Sequence, residues 1–276
     1  MYPSLFHLDF VALPTYSAFC ALGLVALLFL ALYTGQKVGV ASQKLWNLAI
    51  WAILAGILAD KLLLIATHLW IFRVHPFWVL GMSSQYDPWI PGVSFAIGCA
   101  VGLLYALAEG LGVRSVLDAL APALVLASGI AAVGAFLAGA RFGSLTHSSW
   151  AVSYSSAQAA LFYQTPLNRP LHPVQLYQAV LCLLLLLGLL WWLPRRTQAG
   201  EVAGFGLFTY GLICFWLECY RGAVQLAGIF TPMQWISLGM VLVGAALLWQ
   251  RVAPREFVEG QKPEEVPAIA ELERRS

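Results

Sequence analysis

Residues 174–193 read VQLYQAVLCLLLLLGLLWWL, a run of twenty residues without a charged side chain. A helix of about 20 apolar residues spans the hydrocarbon core of a bilayer, where every backbone polar group must be satisfied within the segment itself. Six further segments of this kind occur, at residues 16–33, 46–70, 89–107, 116–136, 204–220 and 233–249. The sequence therefore predicts an all-α integral membrane protein with seven transmembrane helices.

The composition excludes several other classes of protein. Of the residues 61% are hydrophobic and 10% charged, against about 45–50% and 25% in soluble domains. The net charge of +2 comes from 15 basic and 13 acidic residues, a balance unlike the basic face that binds nucleic acid. The five cysteines lie in apolar runs without metal-ligand or disulfide spacing, at Cys20, Cys99, Cys182, Cys214 and Cys219. We therefore predict no nucleic-acid partner, no metal and no other cofactor.

Basic residues in the connections predict the orientation, because Lys and Arg accumulate on the cytoplasmic side of a membrane. With the N-terminus outside, ten basic residues lie inside: Lys37, Lys44, Arg114, Arg195, Arg196, Arg251, Arg255, Lys262, Arg274 and Arg275. Four lie at the outer side, Arg73, Arg141, Arg169 and Arg221, and Lys61 lies within a helix. We expect residues 1–252 to form the transmembrane domain and residues 253–276 a charged, disordered cytoplasmic tail.

One predicted outer connection, residues 141–171, is longer than a simple link between helices. It is rich in Ser, Thr, Gln, Asn and Pro, and loops of this length usually carry function or are disordered. Trp150, Tyr154 and Phe162 indicate that it lies against the membrane surface, where aromatic side chains are enriched.

Charged residues inside predicted membrane helices mark candidate sites, because they are costly in hydrocarbon. Asp60 and Lys61 point about 100° apart on the second helix, so each needs its own partner, structural or functional. In the sixth helix, at residues 210–222, the sequence YGLICFWLECYRG places four residues on one face: Tyr210, Cys214, Glu218 and Arg221. Glu218 and Arg221 can pair, either to fix helix packing or to line a polar cavity for a lipid head group.

The segment LHPVQLYQ, residues 171–178, opens the fifth predicted helix. Pro173 suits a first helical position, since its missing N–H is not needed there. His172 would then lie near a helix N-terminus, which attracts anions such as phosphate, with Gln175 and Tyr177 in the following turns. Taken alone, His-Pro before a helix is a weak signal and indicates a simple capping arrangement.

Several of these segments follow the motifs of one enzyme family. HPVQLY at 172–177 is similar to His-Pro-x-Gln-Leu-Tyr, and residues 210–221 to Tyr-Gly-x-x-Arg-x-x-x-Glu-x-x-Arg. MQWISLGM at 233–240 is similar to a Gln-x-x-Ser stretch, Asp118 with Ala121 and Pro122 to Asp-x-x-Ala-Pro, and Trp150-Ala-Val to a loop motif. In order and spacing they resemble the prolipoprotein diacylglyceryl transferases, bacterial inner-membrane enzymes with seven helices and an outside N-terminus.

The chain also departs from the pattern of the family it resembles. The signature Gly-Arg-x-Gly-Asn-Phe-x-Asn-Gly-Glu-x-x-Gly falls on AAVGAFLAGARFG at residues 131–143. Four positions match it, Gly134, Phe136, Gly139 and Gly143. The signature arginine is replaced by Ala132, and the asparagines and glutamate by Ala135, Ala138 and Ala140. The family's His-Gly-Gly falls on Ile90, Pro91 and Gly92, and the first arginine of the sixth-helix motif on Cys214.

The resemblance implies transfer of diacylglyceryl from phosphatidylglycerol, or another phospholipid, to the cysteine thiol of a lipoprotein precursor. Such chemistry needs a base for the thiol and cations for the departing phosphate. The implied catalytic residues are His172, Glu218 and Tyr210; the implied substrate-binding residues are Arg221, Gln175, Tyr177, Gly134, Gly139 and Gly143. Arg141, Arg169 or Lys61 could compensate for the missing arginines.

Two alternatives to this function stay open. The substituted alanines favour a catalytically degenerate paralogue that binds phospholipid or lipoprotein precursor without transfer. A small-molecule transporter is a weaker alternative, because the sequence shows neither an inverted repeat nor a pair of interrupted helices.

Overall fold

The computed structural model describes residues 4–8, 11–74, 89–221 and 230–252, so the predicted tail at 253–276 lies outside the described residues. Within these ranges seven helices are long and apolar enough to cross a membrane. They are α1 (Thr15–Lys37), α2 (Ser42–Thr67), α4 (Ile90–Ala108), α5 (Val113–Ala138), α7 (Val174–Trp192), α8 (Glu201–Glu218) and α9 (Pro232–Val252). The predicted all-α class and the seven spans are confirmed.

Shorter elements lie between and before these helices. Strands β1 (Ser4–Leu8) and β2 (Val11–Pro14) pair antiparallel ahead of α1, a hairpin that the sequence analysis did not predict. Helix α3 (Leu69–Val74) follows α2, helix α6 (Ala157–Tyr163) lies in the long loop, and a 3₁₀ turn (Leu193–Arg195) ends α7.

Helix α5 lies at the centre of the packing, against α1, α7 and α8, while α8 packs on α9 and α2 on α4. Its buried face consists largely of small residues, including Ala119, Ala123, Ala132 and Ala135. Small residues let transmembrane helices approach closely, which drives their association in the absence of a hydrophobic effect between them. Large apolar side chains such as Phe29 and Leu104 are instead exposed, as expected for a surface that faces lipid.

The two ends of α5 are held differently. Near its start, the fully buried carboxylate of Asp118 accepts hydrogen bonds from the backbone N–H of Gly200 and Ala203, both at 2.8 Å, and pairs with Arg196. This cluster holds the connection between α7 and α8 in place. Asp118, which belongs to the motif similar to Asp-x-x-Ala-Pro, therefore has a structural role here. The other end of α5 leads into the loop of residues 139–173, and we call this the loop end of the bundle.

Candidate functional site

A polar cavity, here called the arginine cavity, lies at the loop end and has a volume of about 50 Å³, room for several water-sized groups. Its walls come from the loop and from α7, α8 and α9. They are formed by Arg141, Gln178, Tyr210, Cys214, Leu217, Glu218, Arg221, Met233, Ile236, Ser237 and Met240. Four of these residues belong to α8, and three of them, Tyr210, Cys214 and Glu218, were predicted from the helical period to share one face. Arg221, just beyond the end of α8, belongs to the same predicted face.

The polar groups of α8 are fixed by neighbouring helices. The Tyr210 hydroxyl forms a 2.9 Å hydrogen bond with the hydroxyl of Ser128 on α5. Glu218, the last residue of α8, is buried, and its Oε1 accepts a 3.3 Å hydrogen bond from the Thr231 hydroxyl. A tyrosine and a carboxylate are therefore held in fixed positions in the cavity wall.

Arg221 presents its guanidinium to the arginine cavity with only part of its hydrogen-bonding capacity used. Its Nη2 donates to Gln178 Oε1 at 3.0 Å, and its Nη1 to Glu218 Oε2 at 3.4 Å. Its buried Nε has no hydrogen-bond partner among the described residues. Burial lowers the pKa of Arg221, and the positive charge of Arg141 lowers it further, against the attraction of Glu218.

Arg141 reaches the cavity because the chain turns back sharply where α5 ends. Gly139 caps the helix at φ 81° and Arg141 itself has φ 53°, a left-handed conformation uncommon for residues other than glycine. The Thr165 hydroxyl donates to the Gly139 carbonyl at 2.8 Å, and Gln175 Nε2 to the Ala140 carbonyl at 2.7 Å. These two hydrogen bonds hold the turn that directs the Arg141 side chain inward.

Arg141 lies next to the Tyr16 hydroxyl of α1 and close to Tyr210 and Cys214. Arg141 is an exposed residue that also lines the arginine cavity. The cavity thus contains two guanidinium groups and one carboxylate, that of Glu218, among its described lining residues.

Gln175 lies beneath the loop rather than in either cavity. Its side chain is 2% exposed, and its Nε2 donates both to the Ala140 carbonyl and, at 3.2 Å, to the Tyr154 hydroxyl. Tyr154 is buried, at 1% exposure, so it does not lie at the membrane surface as predicted. It packs within the loop, where its hydroxyl accepts the hydrogen bond from Gln175 Nε2. Trp150 and Phe162 are exposed, as a surface position requires.

A second cavity, here called the aromatic cavity, adjoins the first and has a volume of about 230 Å³. It is lined by Trp150, His172, Tyr177, Trp216 and Tyr220. The Tyr177 hydroxyl accepts a 2.7 Å hydrogen bond from Trp150 Nε1 and lies 3.4 Å from His172 Nδ1.

The two cavities share a wall. Tyr177 lines the aromatic cavity while the next residue, Gln178, lines the arginine cavity, and the consecutive pair Tyr220 and Arg221 divides in the same way. The structure therefore brings Tyr210, Glu218 and Arg221 together with Arg141, and places His172 and Tyr177 on the other side of this wall.

The remaining residues singled out from the sequence line neither cavity. Gly134 lies where α5 meets Phe19 of α1, with no room for a side chain. Gly143 lies against the His172 carbonyl, which would be 2.5 Å from an added Cβ. Arg169 is exposed on the loop, and Lys61 is half-buried on α2.

Sequence reasoning did not identify Tyr16 and Gln178 as site residues. Gln178 follows Gln175 by three positions on α7, so the helical period could have placed it near the same face. For Tyr16 no local signal exists, because its contact with Arg141 joins the start of α1 to a loop more than a hundred residues later.

Comparison with known proteins identifies the family. The family model described as prolipoprotein diacylglyceryl transferase matches residues 3–250. The phosphatidylglycerol–prolipoprotein diacylglyceryl transferase of Clostridium tetani is 30% identical over 246 residues, 88% of this chain and 95% of that protein. The corresponding protein of Bordetella parapertussis is 28% identical over 223 residues, 78% of this chain and 80% of its own length. Because the family model covers almost all of the seven-helix domain, this chain belongs to the prolipoprotein diacylglyceryl transferase family.

Proposed function

We propose that the protein transfers the diacylglyceryl group of phosphatidylglycerol to the cysteine thiol of a lipoprotein precursor. The observation that carries the proposal is the arginine cavity, in which cationic, acidic and phenolic side chains converge in a chain of this family. The relatives named above carry this activity in their names. Family membership favours it over a degenerate paralogue.

The reaction is an alkyl transfer at the glycerol carbon that bears the phosphate. A sulfur–carbon bond forms, the carbon–oxygen bond to phosphate breaks, and glycerol 1-phosphate leaves with the electron pair. The thiol proton must pass to a base, because a free thiol is mostly protonated at neutral pH. Glu218 is a carboxylate within the cavity, so we assign it this proton, and Tyr210 can donate a hydrogen bond to a phosphate or leaving oxygen.

Arg221 supplies the positive charge that the departing phosphate requires. A guanidinium offers parallel N–H donors that match two phosphate oxygens, and the unused Nε of Arg221 is one such donor. Fixed donors of this kind stabilise the charge that develops in the transition state without reorganising.

We place the thiol-bearing peptide towards the aromatic cavity. Its walls are apolar enough to hold hydrophobic side chains next to the reacting cysteine, and His172 there is a second group able to accept a proton. The cysteine of the peptide would then reach past the wall of Tyr220 and Arg221 to the phosphate-bearing carbon in the arginine cavity, where Glu218 lies. We further propose the bacterial inner membrane as the location of this multi-pass protein.

The direct test is thioether formation by the purified full-length protein with labelled phosphatidylglycerol and a precursor peptide. We expect a diacylglyceryl-cysteine product that is absent when the peptide cysteine is replaced by serine. Complementation of a cell depleted of its own transferase provides the test in vivo. Normal membrane expression without product in either assay would refute the proposed function.

A further inference from the structure

The arginine cavity lacks a negative charge that its geometry calls for. Two guanidinium groups, those of Arg141 and Arg221, line it together with one carboxylate, Glu218. Glu218 lies 3.4 Å from Arg221, a long separation for an ion pair, and Arg141 has a neutral partner in Tyr16. The described lining therefore carries an excess of one positive charge, and a phosphodiester carries one negative charge.

An unused donor points to the same ligand. Buried N–H groups in proteins are nearly always hydrogen-bonded, and the buried Nε of Arg221 has no partner among the described residues. Like charges placed close together also disfavour one another, and the charge of Arg141 lowers the pKa of Arg221. A bound anion between the two arginines would satisfy the donor and remove the repulsion.

The backbone that leads into Arg141 is held in place by hydrogen bonds. Arg141 itself adopts a left-handed conformation that is fixed by hydrogen bonds to the two preceding carbonyl groups, from Thr165 and Gln175. Both donors are buried, so water cannot readily replace them. Such fixing is what a pre-organised anion site needs.

We propose that Arg141 and Arg221 together form the binding site for the phosphodiester of a lipid head group, with Arg141 replacing the arginine that is absent at Ala132. The choice of a lipid phosphodiester rests on the proposed function. The replacement comes from a different part of the chain, nine residues later, and enters the cavity from the loop instead of from α5. The other two candidates for this replacement, Arg169 and Lys61, line neither cavity.

The experiment measures equilibrium binding of fluorescent phosphatidylglycerol to the full-length protein in detergent micelles, without acceptor peptide. Arg141→Gln removes the charge, and Arg141→Lys retains the charge without the planar fork. Arg169→Gln tests the competing loop arginine. Arg195→Gln is the control, because Arg195 is exposed at the opposite end of the bundle and stacks on Trp191. Unlabelled diacylglycerol and inorganic phosphate serve as competitors. They distinguish recognition of the acyl chains, of the lipid phosphodiester and of free phosphate.

We expect Arg141→Gln to weaken binding by about 10- to 100-fold, the usual effect of losing a charged hydrogen bond. Arg141→Lys should fall between this variant and the wild type, and Arg195→Gln should bind like the wild type. Unlabelled phosphatidylglycerol should displace the probe, whereas diacylglycerol, which lacks the phosphate, should not. Displacement by inorganic phosphate at lower concentrations than by phosphatidylglycerol would show a free-phosphate site and overturn the choice of ligand.

Two results would overturn the role of Arg141. One is binding by a folded Arg141→Gln variant within twofold of the wild type, and the other is a larger loss for Arg169→Gln. If Arg141→Gln does not fold, the comparison of Arg141→Lys with the wild type decides, since equal affinity would exclude a bidentate contact. Binding is measured without transfer, so an inactive protein that loses lipid affinity on Arg141→Gln supports this site while refuting the proposed activity.

Discussion

The hydrogen bond from Gln175 to the Ala140 carbonyl should determine the position of Arg141, and Gln175→Leu tests this. The variant is similar in size but removes the donor to Ala140, at 2.7 Å, and to the Tyr154 hydroxyl, at 3.2 Å. Gln175 is 2% exposed, so water cannot easily take its place. A buried carbonyl left without a partner costs about 1–3 kcal/mol.

Part of this cost should appear as lost stability and part as a displaced Arg141. If re-ordering the turn on lipid binding takes about 1.4 kcal/mol of this cost, the apparent affinity for phosphatidylglycerol should fall about tenfold. The measurement is the KM for phosphatidylglycerol in the thioether assay, with the affinity for fluorescent lipid measured beside it. The KM for the peptide should change much less, because the peptide is not expected to contact Arg141.

Thr34→Val is the matched control for Gln175→Leu. The buried Thr34 hydroxyl lies 2.7 Å from both the Leu30 and the Ala119 carbonyls and can donate to either, and its contact with Ala119 also links two segments distant in sequence. Thr34 lies 18 residues after Tyr16 on α1, about 27 Å along the helix axis. This variant should lower thermal stability to a similar degree without changing the KM for lipid. Equal changes of KM in both variants, or no change in Gln175→Leu, would refute the positioning of Arg141 by Gln175.

Three further predictions concern other parts of the molecule. Tyr177→Phe removes the acceptor of the Trp150 indole N–H. We expect the KM for the peptide to rise about 3- to 10-fold, as for one lost hydrogen bond, and the tryptophan emission to change. An unchanged KM for the peptide would contradict the assignment of the aromatic cavity. Gly143→Ala places a Cβ 2.5 Å from the His172 carbonyl, so the thermal unfolding temperature should fall, and unaltered stability would show that the loop can move aside. In a variant without native cysteines, a thiol introduced at 155–164 should react with an impermeant reagent in intact cells and one at 37–44 should not; the reverse would refute an outside N-terminus.

Local rules of sequence were sufficient for the seven long helices and for one face of the site. Seven apolar segments predict seven spans, because a bilayer requires each segment to satisfy its own backbone hydrogen bonds. The helical period places Tyr210, Cys214 and Glu218 on one side of α8, since that relation depends only on the geometry of a single helix. The family motifs also consist of residues close together in sequence, and they predicted the fold and the family.

The sequence did not predict that residues only a few positions apart, at the end of the loop and the start of α7, lie in different parts of the site. His172 and Gln175 belong to one short motif, yet His172 lines the aromatic cavity while Gln175 lies beneath the loop. The difference arises because α7 begins at Val174, so that His172 precedes the helix and Gln175 lies in its first turn. Which side each faces depends on the loop packed above them.

The sequence by itself determined a seven-helix membrane protein with a charged face near the end of its sixth long helix. It also showed that the arginine expected at Ala132 is missing. Only the tertiary structure decided that Arg141, rather than Arg169 or Lys61, lines the cavity with Arg221. The physical reason is that the turn holding Arg141 depends on hydrogen bonds from Thr165 and Gln175, which bond to carbonyl groups 26 and 35 residues away in the chain. Contacts between such distant residues follow from how the helices and loop pack, which no local pattern of residues specifies.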